Sequence, residues 1–132
     1  MPKPKQHQEK ADHNRAFLNT LADDTYHDWK ATVAFYVAVH LVEKLRAYEG
    51  EHSENHEDRD KAVRRDHSRI YNAYHQLFNV SLVARYKSRQ AFQISAADVQ
   101  SKLIDTHLVE IERYVAAETV ARTGGAPPST SP

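Results

Sequence analysis

The sequence contains no cysteine and very little glycine, and these two shortages exclude several classes of protein. Without cysteine there is no disulfide framework, no thiolate metal site and no cysteine nucleophile, and a reducing compartment such as the cytoplasm is expected. Only three glycines and five prolines occur, and the prolines lie towards the two ends of the chain. Helix-forming residues dominate between them, so the composition predicts an all-α fold rather than a β-sandwich or a Rossmann fold.

Long apolar runs and an excess of either charge are missing as well. No stretch of about 18 apolar residues is present, so the sequence predicts no membrane insertion and no membrane partner. The 132 residues include 18 basic and 18 acidic side chains. This balance excludes the strong positive field that drives non-specific binding of nucleic acid, and any contact with nucleic acid must come from a local patch.

Hydrophobic spacing predicts an up-and-down bundle of four main helices plus one short accessory helix. The first helix is expected over about residues 6–21. The second follows a cap at Asp24 or Thr25 and ends at Gly50. Because it is apolar on two sides, it should be the central buried helix.

The second half of the chain supplies the other three helices. A short helix over about residues 56–65 can be capped by Ser53 or Asn55, and a longer one covers about residues 68–87. Ser95 to Asp98 read as a capping box at the start of the fifth helix. The apolar stripe of that helix consists of Ile104, Leu108, Ile111 and Val115.

One domain is expected over residues 8–120. Residues 1–7, with two prolines among lysines, are predicted to form a flexible N-terminus. Residues 121–132 (ARTGGAPPSTSP) have the composition of a disordered tail.

Three segments together resemble the bacterial HEPN family of small helical proteins. They are DHNRAFLNTL followed after a short break by DWKATVAFYVAVHLVEKL, then GEHSENHEDRD, and then LFNVSLVARYKSRQAFQISAADVQSKL. The resemblance covers nearly all of Asp12 to Val115. It implies a bundle of four to five helices that forms a homodimer with a cleft between protomers. Many HEPN relatives are metal-independent ribonucleases of toxin–antitoxin or antiviral defence systems, and others bind nucleotides or lack activity.

The nuclease branch of that family carries an Arg, four to six residues and then a His near the end of the fourth helix, and this sequence departs from the pattern. In the register of Ala84, Arg85 and Tyr86, the arginine position falls on Ser81, and no His follows it before His107. The departure supports a non-catalytic reading.

His56, Arg59 and Arg85 are the candidate catalytic residues. His56 and Arg59 are three residues apart at a helix N-terminus, which favours an anion such as phosphate. A His that acts as acid and base, with Arg side chains that anchor phosphate, suits metal-free RNA cleavage. Arg85 ends an apolar stripe and needs a partner, which could be Glu43, Asp58 or a ligand phosphate. The plainer alternatives are a solvated turn and a structural ion pair.

Asn14, His40 and Tyr86 are the candidate substrate-binding residues. Asn14 and His40 fall on the apolar faces of adjacent helices, so they form either a structural polar pair or the floor of a cleft. Tyr86 could equally serve packing. No cofactor is expected, and no metal either, since His52 precedes the helix that would hold it beside His56. A basic patch could form from Lys61, Arg64, Arg65, Arg69, Lys87 and Arg89, although a solvated charged face explains these residues as well.

Two functions follow from this sequence. The first is a HEPN-like protein that binds RNA or a nucleotide and acts as a metal-independent ribonuclease. The second is a non-catalytic, dimerising interaction module whose partner protein is encoded in the same operon.

Overall fold

The computed structural model describes residues 1–21, 24–88 and 90–124, and within these ranges every regular element is helical. The predicted all-α class is therefore confirmed. The five helices are α1 (Pro4–Thr20), α2 (His27–Tyr48), α3 (His56–Asp66), α4 (Tyr71–Tyr86) and α5 (residues 96–122). Short 3₁₀ turns at Asp24–Tyr26 and Ser68–Ile70 lead into α2 and α4.

Helix α2 is the centre of the fold, as its two apolar faces predicted. Fourteen of its 22 residues are buried, and it packs against α1, α4 and α5. Gly50, with φ at 72°, follows the helix, and the Gly50 and Glu51 amides donate to the carbonyls of Ala47 and Arg46. This Schellman arrangement requires a left-handed residue, which explains why glycine ends the helix there.

The predicted N-caps are confirmed at two places and corrected at one. Asn55 Oδ1 accepts the Asp58 amide at 2.9 Å, and Ser95 Oγ accepts the Asp98 amide at 3.1 Å. Helix α2, however, begins after Tyr26, which makes no side-chain capping bond. The 3₁₀ turn occupies the place where a cap at Asp24 or Thr25 was expected, and it delays the start of the α-helix.

Helix α5 changes its winding along its length. The first turn, Ala96–Asp98, continues into a π-helical stretch, Val99–Leu108, and then into Val109–Arg122, which is α-helical. A side-chain hydrogen bond in this stretch also spans five residues: Thr106 Oγ1 donates to the Ser101 carbonyl at 2.8 Å. The predicted apolar stripe is confirmed: Ile104, Leu108, Ile111 and Val115 are all at most 2% exposed.

Helical structure extends slightly beyond the predicted domain limits of residues 8 and 120. Pro4 occupies the first turn of α1, where its missing N–H is harmless, and Gln6 Oε1 accepts the Lys3 amide at 2.7 Å. The flexibility expected of residues 1–7 and of the tail stays a prediction, and residues 125–132 lie outside the described ranges. None of the helices described is long and apolar enough to span a bilayer.

Candidate functional site

A group of polar side chains gathers on one side of α2 and is called here the polar cluster. Helix α2 supplies Tyr36, His40 and Glu43, spaced four and three residues apart, so they follow one stripe of the helix. The other members come from three further helices: His7 on α1, His56 and Arg59 at the start of α3, and Arg85 near the end of α4. The fold therefore joins residues separated by up to 78 positions in the sequence, from His7 to Arg85.

A buried ion pair positions His56. Arg59 Nε lies 3.0 Å from Glu43 Oε2, and the two side chains are only 11% and 4% exposed. The other end of the guanidinium, Arg59 Nη1, lies 3.1 Å from His56 Nδ1. The Ser53 amide also donates to Glu43 at 3.2 Å, which fixes the carboxylate from a second side.

This contact sets the tautomer of His56. A guanidinium can only donate, so His56 Nδ1 must accept, and the proton of the neutral ring must lie on Nε2. Burial lowers the pKa of His56, and the positive charges of Arg59 and Arg85 lower it further. His56 is thus a neutral N–H donor near pH 7, suited to an anionic acceptor.

The pKa of Glu43 follows from the same geometry. Burial by itself would raise the pKa of this carboxyl, but its contacts with Ser53 and Arg59 outweigh burial and hold the pKa below its usual value. Glu43 is therefore ionised and neutralises Arg59. Arg59 consequently serves to position His56 more than to supply free positive charge.

Arg85 has no carboxylate partner among the described residues. Its Nη1 donates to the Tyr36 hydroxyl at 3.2 Å, and its Nε donates to the Ser81 carbonyl at 3.2 Å. Both acceptors are neutral, so the charge of the guanidinium is not compensated. Of the partners weighed from the sequence, Glu43 is bound to Arg59, and Asp58 accepts the Glu54 amide.

Aromatic rings hold Arg85 and His56 beside each other. The Arg85 guanidinium carbon lies 5.7 Å from the centre of the Phe35 ring and 5.1 Å from that of Tyr86. The His56 ring centre lies 5.5 Å from the same Phe35 ring and 5.2 Å from Phe78. A cation and a neutral N–H donor thus flank a shared aromatic floor, and Tyr86 beside them is 70% exposed.

His40 meets a different partner from the one expected. Its Nδ1 lies 3.2 Å from Nδ1 of His7, which is only 6% exposed. Asn14 is partly exposed on α1 and makes no hydrogen bond to His40 within the described residues. Burial lowers the pKa of His40 to about 4, with His7, Lys10 and Arg59 adding to the shift against the opposing effect of Glu43.

A buried hydroxyl beneath the cluster has no hydrogen-bond partner among the described residues. It belongs to Tyr74, whose ring centre lies 5.7 Å from that of Phe35. Burial raises the pKa of Tyr74 to about 12, so the hydroxyl keeps its proton.

The other candidate ligands and charges from the sequence do not form sites. Across residues 1–21, 24–88 and 90–124, no three His, Cys, Asp or Glu side chains are grouped to hold a metal ion. Lys61 pairs with Glu57 at 3.1 Å, and Arg65 pairs with Asp66 at 2.8 Å. These pairings favour a solvated charged face over a basic patch for that segment, and Arg89 lies outside the described residues.

Sequence reasoning selected four members of the polar cluster, namely His40, His56, Arg59 and Arg85, and it missed the role of the other three, Tyr36, Glu43 and His7. Glu43 was weighed only as a partner for Arg85, although its i+7 spacing from Tyr36 and i+3 spacing from His40 placed it on the same stripe. His7 was assigned to a flexible terminus, and nothing in its local pattern links it to His40.

Comparison of the chain with protein-family models, with curated proteins and with solved structures finds no match.

Proposed function

We propose that this chain is a HEPN-like protein that binds RNA through a backbone phosphate held by Arg85 and His56. The observation that carries the proposal is the uncompensated guanidinium of Arg85, which is fixed in place by neutral groups only. A guanidinium held only by neutral groups keeps its positive charge for an anion, and phosphate suits it because arginine can donate two parallel N–H bonds to phosphate oxygens. The proposal keeps the up-and-down bundle, the homodimer and the cytoplasmic location expected from the sequence.

His56 supports the proposal as a second contact to the same phosphate. Its Nε2 proton faces away from Arg59, and its ring shares the Phe35 floor with Arg85. Tyr86, which is 70% exposed next to Arg85, offers a ring on which a base can stack. RNA with unpaired bases is therefore a better ligand for this surface than an isolated phosphate.

The geometry supports binding more than cleavage. To act as a general base, neutral His56 must accept a proton at Nδ1, and the Arg59 guanidinium occupies that nitrogen at 3.1 Å. A ribonuclease reaction at His56 would thus require Arg59 to move away. The absence of the HEPN nuclease motif, whose arginine position falls on Ser81 here, also favours binding over cleavage.

A dimerising interaction module is the second candidate, and exposed apolar side chains favour it. Trp29 is 58% exposed, Leu82 is 41% exposed and Tyr86 is 70% exposed. Aromatic residues and Arg are enriched in protein interfaces, so these side chains suit a partner protein as well as a second copy of the chain. Light scattering of the purified chain would show whether it is dimeric without any partner.

The test is a titration of fluorescently labelled single-stranded RNA and transfer RNA with wild type, Arg85→Gln and His56→Gln. We expect Arg85→Gln to weaken binding by at least about tenfold, which corresponds to about 1.4 kcal/mol. Arg113→Gln is the matched control, because Arg113 is an exposed arginine on α5 and the substitution removes the same charge. Equal affinities for Arg85→Gln and Arg113→Gln would contradict the proposal.

The same samples, incubated in chelator and run on a denaturing gel, separate binding from cleavage. Intact RNA that is nevertheless bound by wild type is the expected result. Cleavage abolished by His56→Gln would show that Arg59 releases His56 in the complex and would restore the ribonuclease hypothesis.

A further inference from the structure

We propose that His7 and His40 form a binding site for a divalent transition-metal ion of the zinc class, which ties α1 to α2. The site lies within the polar cluster but is separate from the Arg85 and His56 pair. The proposal does not depend on RNA binding.

The distance between the two ring nitrogens carries the inference. His7 Nδ1 and His40 Nδ1 lie 3.2 Å apart, with ring centres 5.5 Å apart and the rings tilted by 32°. Two imidazole nitrogens on one tetrahedral zinc ion, each about 2.0–2.1 Å from the metal, are separated by about 3.3 Å. The separation of the two nitrogens therefore matches that of two zinc ligands, and an ion can replace the proton shared by the pair.

The chemical state of the rings also fits metal binding. A metal ligand must be neutral imidazole, and imidazole nitrogen suits zinc, copper and nickel. Burial keeps both rings neutral near pH 7, since it lowers the pKa of His7 as well as that of His40.

The side chains around His7 and His40 determine which groups can fill the remaining coordination positions of the ion. Glu43 and His52 are close enough to influence the charge of His7, and His52 Nδ1 lies 3.7 Å from Glu43 Oε1. The His52 side chain is 43% exposed on the loop before α3, and it would have to leave its contact with Glu43 to reach the ion. Because no three ligands are already grouped, the ion would be held by two histidines with His52 or water completing the shell.

Electrostatics limit the affinity of the site. Glu43 attracts a dication, whereas Lys10 and Arg59 lie near enough to His40 to oppose one. Two firm ligands with mixed charges around them predict weaker binding than a site with three or four protein ligands. The partial exposure of His40 leaves room for an ion to enter from solvent and for water ligands.

The experiment is a Zn²⁺ titration by calorimetry at pH 7.5, with full-length protein that carries no histidine tag. We compare wild type with His7→Gln and His40→Gln, which retain a polar side chain but cannot supply an imidazole. Each should weaken Zn²⁺ binding by a factor on the order of ten or more. His13→Gln is the matched control, because His13 is exposed on α1, outside the cluster, and its loss should leave the affinity unchanged.

A second readout uses wild type alone, so it holds even if a variant fails to fold. In ¹⁵N spectra of the histidine rings, saturating Zn²⁺ should shift the Nδ1 signals of His7 and His40, and Co²⁺ should give the intense visible absorption of a tetrahedral complex. Unchanged His7 and His40 signals, or Zn²⁺ affinity equal in all four proteins, would overturn the proposal.

Discussion

Two arginine-containing regions of this molecule satisfy their guanidinium groups in opposite ways. At the end of α5, Arg122 lies 2.8 Å from Glu118 and 2.8 Å from Glu49, so one arginine meets two carboxylates. In the polar cluster, Arg59 meets only Glu43, and Arg85 meets no carboxylate among the described residues. Arg122 thus has two carboxylates for one positive charge, whereas Arg59 and Arg85 together have one carboxylate for two positive charges.

The difference separates a solvated charged face from the surface that we propose binds RNA. Glu49 and Glu118 are 53% and 34% exposed, so water solvates these ion pairs with Arg122 and salt screens them. Glu43 and Arg59 are almost buried, whereas the Arg85 guanidinium contacts the neutral oxygens of Tyr36 and Ser81 and lies beside aromatic rings. We propose that a ligand phosphate binds the uncompensated charge on this partly apolar surface.

The largest expected effect comes from breaking the buried pair with Glu43→Gln. The substitution leaves Arg59 charged and without a carboxylate in a mostly buried place, which should cost about 3 kcal/mol of unfolding free energy. Urea unfolding measures the loss, with Glu49→Gln as the exposed counterpart of the same chemistry. Equal losses for the two variants would remove the distinction between the regions.

Acid should weaken the polar cluster through its neutral histidines. His40 has its pKa lowered from 6.5 to about 4, so the unfolded chain takes up a proton first as the pH falls. The free energy of unfolding is therefore highest above pH 6.5 and falls between pH 6.5 and about 4. The loss attributed to His40 is on the order of 2 kcal/mol after allowance for partial exposure. His7, His56 and His67 have pKa values lowered in the same direction.

Urea unfolding at several pH values between 7.5 and 4.5 measures this slope. His40→Gln should flatten it, and the other three histidines should leave a smaller residual slope. The idea fails if His40→Gln and wild type lose stability in parallel.

The smallest expected effect is that of Arg122→Gln. Two partly exposed ion pairs are lost together, yet such pairs contribute about 0.2–1 kcal/mol each at most, and salt screens them. Thermal unfolding at low and high salt checks the point. A loss as large as that of Glu43→Gln would mean that the end of α5 is as strongly coupled as the polar cluster.

The helices of this fold could be predicted from the sequence because the signals are local. The stripe from Ile104 to Val115, the cap at Asn55 and the stop at Gly50 each depend on residues within a few positions of one another. The start of α2 was misjudged because a 3₁₀ turn competes with a side-chain cap at the same place. The π-helical winding of Val99–Leu108 leaves no sequence pattern that separates it from an α-helix.

The candidate site was only partly predictable for a related reason. His56 and Arg59 were found together because a helix brings positions i and i+3 to one side, and their 3.1 Å contact confirms that expectation. The partner of His40 was not found, because His7 is 33 positions away and the packing of α1 on α2 alone brings the rings together.

By itself, the sequence determined the all-α class, the central position of α2 and most helix ends, since helix periodicity and capping act over three to seven residues. Only the tertiary structure decided which charges are paired. It pairs Glu43 with Arg59, places Arg85 beside aromatic rings and brings His7 into contact with His40. These contacts depend on the packing of four helices and not on the spacing of residues within any one helix.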